Sequence, residues 1–118
     1  MVAIRRRWRF YATPAGRSPV RDFLDGLTDE DAAEVVAAMK EVARLGETAA
    51  RHLRGEVYEA RASGVTQTFR VLFATEGARG QVLLALEAFS KKTQKTPPAM
   101  IDLAEQRLRS WRARGRRD

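Results

Sequence analysis

Three lysines stand close together in a short segment that follows an apolar, strand-like run. Lys91, Lys92 and Lys95 lie just before an amphipathic helical pattern. Cations fixed where a strand ends, with Arg61 and Arg70 contributed by two earlier strands, suit a ligand whose phosphate must be held or cleaved. The polyanion that this pattern favours is RNA. The alternative for the lysines is a basic loop that serves only as solvated surface.

The residue types that the chain lacks limit its chemistry. It has no cysteine, so disulfides, thiolate nucleophiles and cysteine-based zinc sites are excluded. Its single histidine, His52, cannot build a multi-histidine metal site, and we interpret it as a loop residue rather than a catalytic base. No carboxylate cluster has the spacing of a divalent-metal site. We therefore expect a mechanism without a metal ion or other cofactor.

The charge is strongly basic, with 22 lysines and arginines against 15 aspartates and glutamates and a formal net charge of +7. Most of the basic residues are arginines, whose planar guanidinium groups bind phosphate in a bidentate manner. This excess favours a nucleic-acid partner. A coding sequence rich in G and C would also enrich arginine, and much of the charge would then be solvated surface.

A chain of 118 residues can bury one hydrophobic core but not two, which predicts a single domain over residues 1–118. A basic tail is predicted over 112–118. No apolar run approaches the roughly 20 residues that a membrane span needs. Residues 1–4 are followed by arginines instead of the apolar region of a secretory signal. We expect a cytoplasmic protein without a membrane partner.

The first half of the chain predicts one strand and two helices. Residues 4–11 are rich in aromatic residues and indicate an outer strand. Pro19, preceded by a serine, marks the start of a short helix that ends near Gly26. A longer helix follows Thr28, carries apolar residues at near-helical spacing and ends at Gly46.

The second half predicts three strands and a helix. After a polar connector over 47–55, residues 57–62, 67–74 and 82–90 indicate an antiparallel meander. A proline pair at 97–98 opens a C-terminal helix with an apolar stripe. The predicted fold class is α+β, with an N-terminal strand and two helices packed on a twisted antiparallel sheet and a C-terminal helix.

Alternation along the strands predicts which side chains share a face. Arg61 and Arg70 fall on the same side as Glu59, while Tyr58 and Phe69 fall on the opposite side and should be buried. The alternative role for the two arginines is ion pairing on a solvated face. Exposed pairs contribute only about 0 to 1 kcal/mol, which makes stability a weak reason for such an arrangement.

The third strand of the meander is harder to place. If Glu87 lies on the arginine side, it offsets part of the positive charge. Strict alternation would then bring Leu83 and Ala85 to the same polar side.

Three segments together carry a family resemblance: LRGEVYEAR at 53–61, FRVLF at 69–73 and AFSKKTQKTP at 88–97. In order and spacing they resemble the RelE/ParE superfamily of bacterial toxins, most closely its HigB-like, phage-derived branch. The resemblance covers nearly the whole chain and implies the RelE-like fold.

The resemblance also implies a function and partners. It implies the toxin of a type II toxin–antitoxin system, a metal-independent endoribonuclease that cleaves messenger RNA on the translating ribosome through the ribose 2′-hydroxyl. Its partners would be a cognate helix-turn-helix antitoxin, messenger RNA and ribosomal RNA. Operator DNA would be reached only through the antitoxin complex.

By the same resemblance, Arg61 and Arg70 clamp the phosphate and its transition state. Lys91 and Lys92 neutralise phosphate charge, and one of them can protonate the leaving oxygen.

The resemblance assigns three further basic residues to contacts with RNA or the ribosome. They are Arg51, Arg54 and Lys95.

Two departures concern the general base. Relatives often have a histidine where this chain has Glu87, and a tyrosine where it has Phe69. The Glu87 carboxylate can accept the 2′ proton, although neighbouring arginines would weaken it as a base. A second class of function therefore stays open, a noncatalytic module that binds nucleic acid or antitoxin. A gyrase poison of the ParE kind is a third reading, disfavoured by the paired lysines and arginines.

Overall fold

A computed structural model of the chain describes residues 5–91 and 95–114, with Lys91 described by its backbone alone. Lys92, one of the predicted catalytic lysines, lies outside the described residues, as do 115–118 of the predicted tail. The described chain is α+β, as the sequence predicted.

The described residues form one five-stranded sheet whose strand order is β1-β5-β4-β3-β2. The strands are β1 (Arg7–Phe10), β2 (Arg51–Arg54), β3 (Val57–Ser63), β4 (Thr68–Glu76) and β5 (Val82–Lys91). Strands β2 to β5 are antiparallel neighbours, whereas β1 pairs with β5 in parallel. The outer position of the first strand and the antiparallel meander of β3, β4 and β5 are confirmed, and the parallel pairing of β1 makes the sheet a mixed one. Whether β1 runs parallel or antiparallel to its neighbour cannot be read from its own residues, because the neighbour, β5, lies far along the chain beyond two helices.

Strand β2 replaces part of the polar connector predicted over 47–55. The connector begins as a 3-10 turn, Gly46–Ala49, and continues as this edge strand. Arg51 pairs with Glu59, and His52, expected in a loop, lies in the strand. An edge strand of four residues with mostly exposed polar side chains carries little of the alternating pattern that predicts strands.

The helices of the described chain are α1 (Pro19–Asp25), α2 (Asp29–Leu45) and α3 (Pro98–Ala113). Both ends of α2 follow the signals in the sequence. The Thr28 hydroxyl accepts a hydrogen bond from the Asp31 backbone N–H at 3.2 Å and caps α2. Gly46, at φ 75°, ends the same helix in a conformation that favours glycine.

The sheet is covered on both faces. Helices α1 and α2 bury one face through side chains such as Val35, Val42, Phe69 and Phe73. Helix α3 covers the other through Leu72, Leu84, Leu86, Ala104 and Leu108. The predicted burial of Phe69 is confirmed, whereas Tyr58 is only partly buried because it lies beside the edge strand β2.

A bulge in β5 places Glu87 without bringing apolar residues onto the polar side. Pairing with β4 slips by one residue at Leu86, between Glu87 and Ala85. Glu87 therefore shares the face of Arg70, while Leu83 and Ala85 belong to the core under α1 and α2. The strict alternation used for the sequence did not allow for this extra residue.

Helix α3 extends further than predicted. Arg112, expected at the start of a fraying tail, lies within the helix and reaches Glu56 at 2.8 Å and Glu76 at 2.5 Å. The hydrogen bond from Arg112 lowers the pKa of the Glu56 carboxyl. These contacts fasten the end of α3 to the sheet. No helix in the described ranges is long and apolar enough to cross a membrane.

The turn between β3 and β4 gives a test of this packing. A Cβ on Gly64 would lie 2.3 Å from Phe69 Cε2 and 2.7 Å from Asp31 Oδ1. Because the Phe69 ring is fixed in the core, we expect Gly64→Ala to lower the free energy of unfolding by about 1–3 kcal/mol in urea denaturation. Gly26→Ala is the matched control, since its Cβ would meet the nearest atom at an ordinary 3.6 Å. An equal loss in both variants would contradict the steric explanation.

Candidate active site

Arg61 and Arg70 lie directly opposite each other on β3 and β4. Opposed residues on neighbouring antiparallel strands project to the same side of a sheet, so the predicted shared face is confirmed. This is the face that α3 covers further along the strands. Two guanidinium groups are thereby brought together at the open end of that face.

The Glu59 carboxylate links the two arginines. Arg61 Nε donates to Glu59 Oε1 at 2.8 Å, and Arg70 Nε lies 3.9 Å from Glu59 Oε2. The Thr96 hydroxyl donates to Glu59 Oε2 and accepts a hydrogen bond from Arg70 Nη1 at 3.4 Å. These four residues, Glu59, Arg61, Arg70 and Thr96, form what we call the arginine clamp.

Three members of the clamp are buried, and the fourth is accessible to solvent. Glu59 and Arg70 are each 1% exposed and Thr96 is buried, whereas 31% of the Arg61 side chain is accessible. Burial lowers the pKa of Arg70, and the positive charges of Arg61 and Arg51 act in the same direction. Glu59 opposes this lowering of the pKa. Arg61 is the member of the clamp that a ligand can reach.

The predicted RNA-contacting residues divide into two groups. Arg51 pairs across β2 and β3 with Glu59, which places an exposed cation beside the clamp, and exposed Lys95 precedes Thr96 in the chain. Arg54 instead forms ion pairs with Asp102 and, at 2.8 Å, with Glu105 of α3. Its hydrogen bond to Glu105 raises the pKa of Arg54. Arg54 therefore fastens α3 to the edge strand.

Glu87 lies on β5, on the same face as Arg70. Glu87 Oε1 lies 3.2 Å from Arg107 Nη1 and accepts a hydrogen bond from the Ala88 backbone N–H at 3.0 Å. Glu87 is thus held against α3. Lys91 stands at the end of β5 opposite Thr68 of β4, two residues before Arg70.

Two residues of the clamp were not predicted as site residues. Glu59 was placed correctly beside the arginines, but only as a partner in surface ion pairs, and its contact with Thr96 from a distant part of the chain was not foreseen. Thr96 gave no signal of its own in the sequence. The interpretation of a purely solvated face is wrong for Glu59 and Arg70, which are almost completely buried. Among the described residues, no three histidines or carboxylates come together as a metal-binding group.

The central carboxylate gives a direct test of the clamp. In Glu59→Gln, the cations of Arg61 and Arg70 lose their shared counter-charge while Arg70 stays buried. Because breaking a buried ion pair leaves a charge uncompensated, we expect the free energy of unfolding to fall by about 3 kcal/mol. We also expect sulfate to raise the melting temperature of the variant more than that of the wild type.

The control for this variant is Glu41→Gln, which removes the carboxylate of the exposed Arg44–Glu41 pair. A change below about 1 kcal/mol is expected there. Equal stability of Glu59→Gln and wild type would contradict an electrostatic role for the buried carboxylate.

Comparisons with known proteins identify the family to which this chain belongs. The family model described as "Phage derived protein Gp49-like (DUF891)" matches residues 22–109, a range that contains the whole clamp. Two relatives named "Probable endoribonuclease HigB1" come from the CDC 1551 / Oshkosh and ATCC 25618 / H37Rv strains of Mycobacterium tuberculosis. Each is 33% identical over 108 residues, covering 89% of this chain and 84% of the relative. The chain therefore belongs to the Gp49-like family of phage-derived, HigB-like toxins.

Proposed function

We propose that this chain is the toxin of a type II toxin–antitoxin pair and cleaves messenger RNA on the translating ribosome. The observation that carries the proposal is the arginine clamp, in which two guanidinium groups share one sheet face around a buried carboxylate. Membership of the HigB-like toxin family and the printed name of the two endoribonuclease relatives support it.

The proposed reaction is an attack by the ribose 2′ oxygen on the adjacent phosphorus. A bond forms between the 2′ oxygen and phosphorus, and the bond from phosphorus to the 5′ oxygen breaks. A base takes the 2′ proton, and an acid returns a proton to the 5′ oxygen. In the transition state the phosphate oxygens carry extra negative charge. Cations held in fixed positions stabilise this charge.

The clamp supplies these cations. Arg61 is accessible enough to contact the phosphate oxygens directly, while Arg70 lies beneath it with almost no exposure. A cation in a water-poor site acts more strongly on a nearby phosphate than one in bulk water. We assign phosphate contact to Arg61 and electrostatic support to Arg70.

The remaining predicted roles complete the proposed site. Glu87 is the proposed base, and Lys91 or Lys92 the proposed acid. Exposed Arg51 and Lys95 are assigned to the path of the RNA strand or to ribosomal RNA. The partner that neutralises the toxin is a cognate helix-turn-helix antitoxin, through which the pair reaches operator DNA.

Arg61 is the residue on which to test the phosphate contact. We expect Arg61→Ala to slow cleavage of ribosome-bound messenger RNA by about 10²- to 10³-fold, because one preorganised charge donor is lost. Arg61→Lys should recover only part of this rate, since an ammonium group cannot bind two phosphate oxygens at once as a planar guanidinium group does. Primer extension and single-turnover cleavage measure the effect, with thermal unfolding to check the fold.

Lys40→Ala is the control for loss of one exposed positive charge, because Lys40 lies on α2, which packs on the opposite face of the sheet. Its cleavage rate should match the wild type. A folded Arg61→Ala variant with wild-type activity would refute the contact between Arg61 and the phosphate.

Intact messages with folded wild-type protein would favour the noncatalytic module, and a DNA-damage response would favour the gyrase poison.

Glu87→Gln tests the general base. If the carboxylate accepts the 2′ proton, cleavage should fall by about 10²-fold or more and the acidic limb of the pH–rate profile should disappear. Arg107→Gln serves as the control, because it removes the ion-pair partner and keeps the carboxylate. Cleavage by Glu87→Gln within a few-fold of the wild-type rate would assign Glu87 to anchoring α3 alone.

A further inference from the structure

Thr96 is the member of the arginine clamp that does not belong to the sheet. It follows exposed Lys95, precedes α3 and is buried. A hydroxyl can donate one hydrogen bond while accepting another, and this one donates to Glu59 and accepts from Arg70. Thr96, two residues before the start of α3, is thereby bonded to the buried side chains of Glu59 and Arg70.

The two oxygens of Glu59 have separate partners. Oε1 accepts from Arg61 Nε at 2.8 Å, while Oε2 accepts from Thr96 and faces Arg70 Nε at 3.9 Å. A carboxylate that is 1% exposed and engaged through both oxygens is poorly placed to take a proton from an entering substrate. Glu59 is instead placed to orient the longer side chains of Arg61 and Arg70.

The described residues on both sides of 92–94 contact the strands that carry the clamp. The backbone of Lys91, the last residue of β5, pairs with Thr68, the first residue of β4, and Thr96 bonds to Glu59 and Arg70. Thr68 and Arg70 are two residues apart on one strand and project to the same side of the sheet. The backbone of Lys91 and the side chain of Thr96 therefore both contact β4, the strand that carries Arg70.

We propose that Thr96 and Glu59 are positioning residues of the ribonuclease site, which orient Arg61 and Arg70 for the phosphate. This inference rests on the proposed function. Neither residue touches RNA, and both act through the arginines. Long flexible side chains gain most from such support, since a catalytic group misplaced by about 1 Å can slow a reaction by about 10²-fold.

Two substitutions at Thr96 separate the hydroxyl from the shape of the side chain. Thr96→Val keeps the branched shape and removes both hydrogen bonds, whereas Thr96→Ser keeps the hydroxyl. We expect Thr96→Val to lower kcat by about 10- to 100-fold with KM nearly unchanged, and Thr96→Ser to stay near the wild-type rate. The shape of the pH–rate profile should be the same in all three proteins, because no proton carrier is removed.

Wild-type kcat in folded Thr96→Val would overturn the proposal. Equal impairment of Thr96→Ser and Thr96→Val would also overturn it, since the hydroxyl would then be irrelevant. A pH–rate profile that loses a limb would instead assign proton transfer to Thr96.

A measurement on the wild type keeps the proposal testable should Thr96→Val fail to fold. Oriented guanidinium groups should give separate, slowly exchanging Nε–Hε signals for Arg61 and Arg70 in NMR spectra, assigned with Arg61→Lys. Averaged, rapidly exchanging signals in a wild type that cleaves RNA would refute the positioning role alone. A wild type that leaves ribosome-bound RNA intact would refute the proposed function, whatever the spectra show.

Discussion

The structure around the candidate site depends on one buried carboxylate. Glu59 lies almost completely out of solvent between Arg61 and Arg70. Removing an ion from water costs several kcal/mol even after the protein relaxes, so a buried charge persists only when opposite charges and hydrogen bonds surround it. The clamp satisfies this condition with groups from three parts of the chain: β3, β4 and the segment that leads into α3.

Helix α3 begins just after Thr96, and other arginines hold this helix against the sheet. Arg54 bonds to the acidic side chains of α3, while Arg107 and Arg112 reach from α3 to the sheet. The basic residues of this chain therefore serve two purposes. Some fasten α3, and others, including Arg51, Arg61 and Arg70, stand at the end of the sheet where phosphate is proposed to bind. A net charge of +7 cannot distinguish the two groups.

Much of the fold could be predicted because its signals are local. Thr28 and Gly46 bound α2, and alternation along β3 and β4 places both arginines on one face. The parts that escaped prediction are non-local. The direction of β1 depends on a partner strand about 75 residues later in the chain, and an exposed polar strand such as β2 is defined by its pairing with β3. The extra residue at Leu86 shifts the faces of β5, which strict alternation cannot anticipate.

The sequence by itself determined the α+β class, the bounds of α1 and α2, the start of α3, the shared face of Arg61 and Arg70 and the resemblance to HigB-like toxins. Each follows from residue types at short spacing. Only the tertiary structure decided that Glu59 is buried, that Thr96 joins it to Arg70, that Glu87 rests against Arg107 and that Arg54 and Arg112 fasten α3. Burial and ion pairing depend on which distant side chains meet, and the contacts of Thr96 and α3 with the sheet span residues far apart in the chain.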